Sequence, residues 1–135
     1  NIEDKIRELG LTEHVKMLGY RQDAAHFIAA LDLHVLPSID METVGFVTME
    51  AMFAGVVPVV SDVGGAKEIV GPSGGGAIVP AGDAGALSEA ILHYMKDADA
   101  HRAAGRQARE YAESYLAADI MARKTLEVYG RIMRD

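Results

Sequence analysis

The sequence contains no cysteine and no tryptophan, and only 6% of its residues are aromatic. Without cysteine, the chain can form neither a disulfide framework nor a thiolate metal site. This absence fits a cytoplasmic protein, which is the location that we expect. Alanine and glycine are abundant instead, and they favour closely packed helices and strands over a β-sandwich.

Long apolar runs and clustered cations are also missing. The longest apolar stretch, residues 53–60, is interrupted by Gly55 and Pro58 and is far shorter than the ~18–20 residues that span a bilayer. Lysine and arginine number 13 against 20 aspartates and glutamates, so the formal net charge is −7. That balance argues against nucleic-acid binding, which needs clustered basic residues. Any phosphate ligand must therefore be held by local donors.

The 135 residues are enough for one domain with a buried core, or for part of a larger domain. Residues 1–9 are charged and follow a helical pattern, unlike a signal peptide. Because the sequence lacks an initiator methionine and opens inside that pattern, we expect it to be a piece of a longer protein, truncated at its amino end.

Apolar periodicity predicts alternating strands and helices. Short apolar runs next to turn residues predict strands at residues 15–18, 33–36, 57–60 and 77–79. Helices are expected at residues 2–9, 24–30, 45–54, 66–70, 84–96, 98–115 and 117–134, with Asp23 and Asp83 as N-caps. The alternation predicts an α/β fold, a Rossmann-like parallel sheet with helices on both faces and a helical carboxyl-terminal tail.

The segment leading into the third helix carries two glutamates. Glu42 lies in a loop after a strand, and it is either a loop carboxylate favoured by the helix dipole or one aimed at a sugar. Glu50 shares a helix face with apolar residues. It is either a core carboxylate satisfied by backbone donors or an acceptor for the hydroxyls of a polyol such as ribose. The amides of Gly45, Phe46 and Val47 are free donors of the first turn and would fit a diphosphate.

The segment from 36 to 70, LPSIDMETVGFVTMEAMFAGVVPVVSDVGGAKEIV, resembles the signature of the group 1 (family 4) glycosyltransferases. The matching positions are Pro37-Ser38, Glu42, Gly45, Glu50-Ala51, Gly55, Pro58-Val59, Gly64-Gly65 and Glu68. The flanking segments 15–19 and 76–87 also match, so the resemblance covers nearly the whole chain. It implies a retaining enzyme of the two-domain GT-B fold, with residues 1–135 as its carboxyl-terminal, donor-binding Rossmann-like domain.

The resemblance implies roles for residues around the transferred sugar. Glu42 would be the catalytic residue, contacting the sugar and stabilising the charge that develops at its anomeric carbon. The amides of Thr43, Val44 and Gly45 would bind sugar hydroxyls. Ser38 is counted with these donor-binding residues.

The resemblance also implies contacts with the rest of the donor. The amides of Phe46 and Val47 would bind the diphosphate, Glu50 the ribose hydroxyls, and backbone groups near Tyr20 and Arg21 the nucleobase. The donor would be a UDP-, GDP- or ADP-linked sugar, which acts as a co-substrate. No metal and no further cofactor is implied, because helix-end amides and basic side chains stabilise the leaving group.

The chain departs from the family pattern in three respects. Val44 replaces an aromatic residue, the basic Arg and Lys that grip the diphosphate would lie upstream of residue 1, and the amino-terminal acceptor domain is absent. We therefore expect a donor half that does not turn over alone. Its missing domain would bind a glycan or a lipid-linked acceptor at the inner face of the membrane.

Two other interpretations stay open. The chain could be a non-catalytic Rossmann-like nucleotide-binding or assembly module, or a nucleotide-sugar epimerase of the same GT-B architecture.

The five histidines are scattered without the spacing of metal ligands. His34, inside an expected buried strand, is interpreted as a core histidine with a satisfied hydrogen bond.

Overall fold

The computed structural model describes residues 1–40, 43 and 45–133. Within them, three parallel strands form one sheet in the order β1 (Leu33–Leu36), β2 (Val57–Ser61) and β3 (Ala77–Val79). The same residues form seven α-helices: α1 (Ile2–Glu8), α2 (Ala24–Ala29), α3 (Phe46–Phe53), α4 (Ala66–Val70), α5 (Ala84–Lys96), α6 (Ala98–Tyr111) and α7 (Ala118–Ile132). The predicted α/β class, with a parallel sheet among helices and a helical carboxyl-terminal tail, is confirmed.

The strand predicted at residues 15–18 is wrong. The segment is irregular, and its apolar side chains are exposed, Val15 by 40% and Met17 by 54%. A strand is stabilised by hydrogen bonds to a neighbouring strand, and none of the three described strands pairs with this segment. An apolar run was therefore not sufficient to specify a strand.

Two details of the helices also differ from prediction. The helix expected over residues 98–115 ends at Tyr111 and continues as a π-helical turn over Ala112–Leu116. Asp23 does occupy the N-cap position of α2, but its carboxylate caps no amide. It is bonded to the guanidinium of Arg21 instead, because a charged, two-point hydrogen bond competes well with a bond to an amide.

Strand β2 lies between the other two strands and is buried along its whole length. Neighbouring side chains of a strand point to opposite faces, so the burial of all five residues means that both faces of the sheet are covered. Helices α3, α4, α5 and α6 all contact this strand. The main core cluster consists of Met52, Val60, Ala66, Ile69, Val70, Ala108 and Ala112.

Helix α6 approaches the turn before β2 so closely that no side chain fits between them. A Cβ on Gly105 would lie 2.5 Å from the carbonyl oxygen of Gly55, closer than such atoms can approach. The neighbouring Ala104 and Ala108 are buried on the same helix. Small residues therefore set the distance between α6 and the sheet.

A polar pair lies within the core. His34 of β1 is 7% exposed and Thr48 of α3 is fully buried, and Nε2 of His34 lies 3.1 Å from Oγ1 of Thr48. Burial lowers the pKa of His34 from its usual 6.5, because an imidazolium would lose its hydration. The interpretation of His34 as a satisfied core histidine is confirmed.

Gly105→Ala should lower the free energy of unfolding by about 1–3 kcal/mol, because the new Cβ forces backbone to move. The higher helix propensity of alanine offsets at most about 1 kcal/mol of this loss. Urea denaturation measures the change. Gly71→Ala is the matched control, since its Cβ would meet only Cδ1 of Ile78 at 3.5 Å, an ordinary contact. Equal unfolding midpoints in both variants would contradict the packing argument.

The chain should also lose stability as the pH falls below about 6.5. In that range the unfolded chain takes up a proton on His34, whereas the folded chain takes it up only at a lower pH because the pKa of the buried imidazole is lowered. Protonation therefore favours unfolding, by up to about 1.4 kcal/mol per pH unit. Urea denaturation at about pH 7.5 and about pH 5.5 should show a smaller loss in His34→Gln than in the wild type. Equal losses would count against the assignment.

Candidate functional site

The segments that follow the three strands are joined at the carboxyl edge of the sheet. The amide of Gly65, just before α4, donates to the carbonyl oxygen of Thr43 over 2.9 Å. The carboxylate of Asp62, just after β2, accepts a hydrogen bond from the amide of Ala81 at 2.9 Å. These bonds hold the loops together at the edge where open α/β sheets bind ligands.

Helix α3 begins at this edge with a glycine in the left-handed conformation. Gly45 is the N-cap residue, with φ +66° and ψ +56°, and a Cβ there would lie 3.3 Å from Oγ1 of Thr48. A glycine is needed because other residues rarely adopt this conformation. The amides of Gly45, Phe46 and Val47 donate to no described residue. No described residue therefore competes for these amides with an anion at the positive end of the helix dipole.

Glu50 lies on the exposed side of α3. The opposite side carries Thr48, Ala51 and Met52, each with 0% exposure. Glu50 forms no hydrogen bond or ion pair with a described residue. The alternative of a core carboxylate satisfied by backbone donors is therefore wrong, and this carboxylate can reach a ligand from solvent.

Tyr20 and Arg21 lie in the segment before α2. Tyr20 is 92% exposed, while the guanidinium of Arg21 binds both carboxylate oxygens of Asp23 at 2.8 Å and lies 4.3 Å from the ring centroid of Phe27. The hydrogen bond from Arg21 lowers the pKa of Asp23. Helix α2 in turn packs against α3, so this segment is tied to the helix that carries Glu50.

In the sequence, the remaining predicted site residues come between β1 and α3. Glu42 and Val44 lie outside the described residues, and their roles stay predictions. Thr43 is described and exposed, and Ser38 is half-buried.

Sequence reasoning missed one residue of this region, Thr48. Its hydroxyl meets His34 from the preceding strand, and its amide donates to the carbonyl oxygen of Gly45. The available signal was a threonine on the apolar face of the helix, three positions after the N-cap. Such a hydroxyl needs a partner when it is buried, but the sequence does not name that partner.

A pocket beside this edge is lined by Pro37, Ile39, Ser61, Val79, Pro80, Gly82, Asp83, Ala84 and Leu87. Its volume of ≈ 190 Å³ is below the ~300–1,000 Å³ of typical ligand pockets, so the edge is an open surface at this point.

Within the described part of the chain, no three His, Asp or Glu side chains are grouped to hold a metal ion. No helix of that part has the length and apolar character needed to cross a membrane.

Residues 1–111 match the profile of a family described as Glycosyl transferases group 1. The chain is 36% identical over 118 residues to a phosphatidyl-myo-inositol mannosyltransferase of Mycobacterium leprae, covering 83% of this chain and 32% of that protein. It is 34% identical over 133 residues to an exopolysaccharide phosphotransferase of Streptomyces coelicolor, covering 98% of this chain and 14% of that protein. The chain therefore spans a third or less of these relatives.

The fold matches solved structures over almost its whole length. HepE of Anabaena in complex with UDP superposes with a TM-score of 0.90 at 28% identity, over 96% of this chain and 36% of that one. The same protein in complex with UDP-glucose gives a TM-score of 0.87. With the family profile matched over most of its length and this shared fold, the chain belongs to the group 1 glycosyltransferases and has the Rossmann-like fold of their carboxyl-terminal GT-B domain.

Proposed function

We propose that the chain binds the nucleotide-sugar donor of a retaining glycosyltransferase, which transfers a hexose to a glycan or a lipid-linked acceptor. The observation that carries this proposal is the first turn of α3. It combines amides that donate to no described residue, at the carboxyl edge of the sheet, with an exposed glutamate one turn further along. The UDP-glucose complex of HepE and the mannosyltransferase relative support a nucleotide-linked hexose as the ligand.

The diphosphate would lie at the amides of Phe46 and Val47. Those amides sit at the positive end of the helix dipole, where an anion is stabilised without a cationic side chain. Glu50 follows on the exposed side of the same helix, so its carboxylate could accept hydrogen bonds from two ribose hydroxyls. The nucleobase would meet backbone groups near Tyr20 and Arg21, in the segment that α2 ties to α3.

The transferred sugar would extend from the diphosphate toward the loop before α3. The amides of Thr43, Val44 and Gly45 would bind its hydroxyls. Glu42 would contact the sugar and stabilise the positive charge that develops at the anomeric carbon as the bond to the diphosphate breaks. Basic side chains that neutralise the departing diphosphate would come from another part of the enzyme.

A second interpretation is a non-catalytic binding module. The observation behind it is that the chain also matches 14% of a Streptomyces coelicolor protein named for a phosphotransferase, an activity other than glycosyl transfer. A nucleotide-sugar epimerase is the third interpretation, and it would use the same donor contacts. Product analysis with the full-length protein separates the three: a transferase needs an acceptor, an epimerase converts the donor without one, and a binding module forms no product.

Saturation-transfer NMR with a panel of UDP-, GDP- and ADP-sugars tests the donor proposal. Binding of a nucleotide sugar, with no binding of the free sugar, is the expected result. If no member of the panel binds at millimolar concentration, the proposed function is contradicted.

Glu50→Ala should weaken nucleotide binding about tenfold or more, because charge-assisted hydrogen bonds to the ribose are lost. Isothermal titration calorimetry measures the dissociation constant. Glu110→Ala, which removes an exposed glutamate from α6, is the matched control and should bind as the wild type does. Equal affinity of Glu50→Ala and the wild type would rule out the ribose contact.

Glu42→Ala in the full-length enzyme should mainly reduce turnover, by about 10²–10³-fold, since its contact strengthens only as charge develops in the transition state. Steady-state kinetics with varied donor would show a lower kcat and a KM close to that of the wild type. A raised KM with unchanged kcat would make Glu42 a simple binding residue.

A further inference from the structure

The hydrogen bond between His34 and Thr48 joins the strand that ends at the candidate site to the helix that begins there. The two atoms, Nε2 and Oγ1, are 3.1 Å apart and belong to two buried side chains. His34 lies inside β1, and Thr48 lies in the first turn of α3, three positions after the N-cap residue Gly45. The bond therefore connects the sheet to the turn whose amides face the ligand.

Thr48 also contacts the N-cap residue directly. Its amide donates to the carbonyl oxygen of Gly45 over 2.8 Å. Its hydroxyl lies 3.3 Å from the point where a Cβ of Gly45 would stand, and Cδ2 of Leu36 lies 3.5 Å from the same point. Gly45 is thus bonded to the amide of Thr48, whose hydroxyl in turn meets His34 of β1.

A polar pair in this place is not the most stable choice. Two apolar side chains of similar volume would avoid the desolvation of an imidazole and a hydroxyl. What the hydrogen bond adds is direction, because its strength falls steeply when donor and acceptor are misaligned. The pair therefore restricts the rotation of α3 about its axis and its position relative to β1. Apolar packing would restrict both less.

Within the described residues, β2 and α3, the two elements with the main contacts to β1, bring no charged group to the imidazole. Strand β2 carries no titratable carboxylate, amine or imidazole, and it places Pro58 opposite His34. Helix α3 carries one such group, Glu50, which lies on its exposed side. A proton on His34 would therefore be a buried charge without a counter-ion, and the pair requires a neutral imidazole.

We propose that His34 is a positioning residue of the donor site. Through Thr48 it holds the first turn of α3, and with it the amides of Phe46 and Val47, in the orientation that binds a diphosphate. The inference rests on the proposed function, because the ligand is the diphosphate of the donor. Protonation of His34 releases this arrangement, so donor binding weakens at acid pH.

Replacing both partners separates binding from stability. In the double variant His34→Leu/Thr48→Val, an apolar pair fills the place of the polar pair, and the free energy of unfolding should equal or exceed that of the wild type. The dissociation constant for UDP, measured by calorimetry at about pH 7.5, should nevertheless rise about fivefold or more. A folded double variant that binds UDP as tightly as the wild type would overturn the inference.

His34→Gln gives a second, independent measurement. Its side-chain amide can still hydrogen-bond to Thr48 but does not take up a proton, so it should rescue most of the affinity that the double variant loses. Below the titration midpoint of the His34 ring, which NMR measures in the same samples, the wild type should lose up to about tenfold more affinity for UDP per pH unit than His34→Gln does. Protonation of UDP itself affects both proteins equally and cancels in this ratio. Identical pH profiles would overturn the inference.

Failure of the proposed function gives a different result. If the wild type does not bind UDP at all, the amide NMR shifts of Phe46 and Val47 still report on the positioning. In the wild type they should titrate with the same midpoint as the ring of His34, and in His34→Gln they should stay constant over that range. Amide shifts that do not follow the His34 ring would refute the positioning role without reference to any nucleotide.

Discussion

The rest of the structure depends on the complete burial of strand β2. A parallel strand that is covered on both faces needs packed helices above and below it and a partner strand on each side. The described residues meet these needs with β1, β3 and the helices α3 to α6. The backbone then has little room to turn at either end of the strand, and different contacts accommodate the turn at each end.

At the amino end of β2, glycines provide the room because they have no side chains. Gly105 and Gly55 let α6 and the preceding turn meet backbone to backbone. At the carboxyl end the solution is a set of directed hydrogen bonds, from Gly65 to Thr43 and from Ala81 to Asp62. The glycines at the amino end allow dense packing. The hydrogen bonds at the carboxyl end keep amides and carbonyls in defined positions, as a binding site requires.

Under the proposed function, the candidate site attracts an anion in a chain whose formal net charge is −7. The first turn of α3 offers amides and a helix dipole but no cationic side chain. Local donors of this kind act only over short distances, so their orientation matters more than the overall field of the protein. Under the proposed function, the polar contact between His34 and Thr48 would therefore bear on ligand binding as well as on the core.

The amino-acid sequence by itself determined the α/β class, the strands near residues 33–36, 57–60 and 77–79, and the place of Gly45 at the start of α3, because local apolar runs and turn residues specify these features. Only the tertiary structure decided that residues 15–18 form no strand, that Glu50 is exposed, and that His34 meets Thr48. Each of these depends on a partner distant in sequence or on the rotation of a helix against its neighbours. Periodicity shows which residues share a face, but packing decides which face is buried and what it touches.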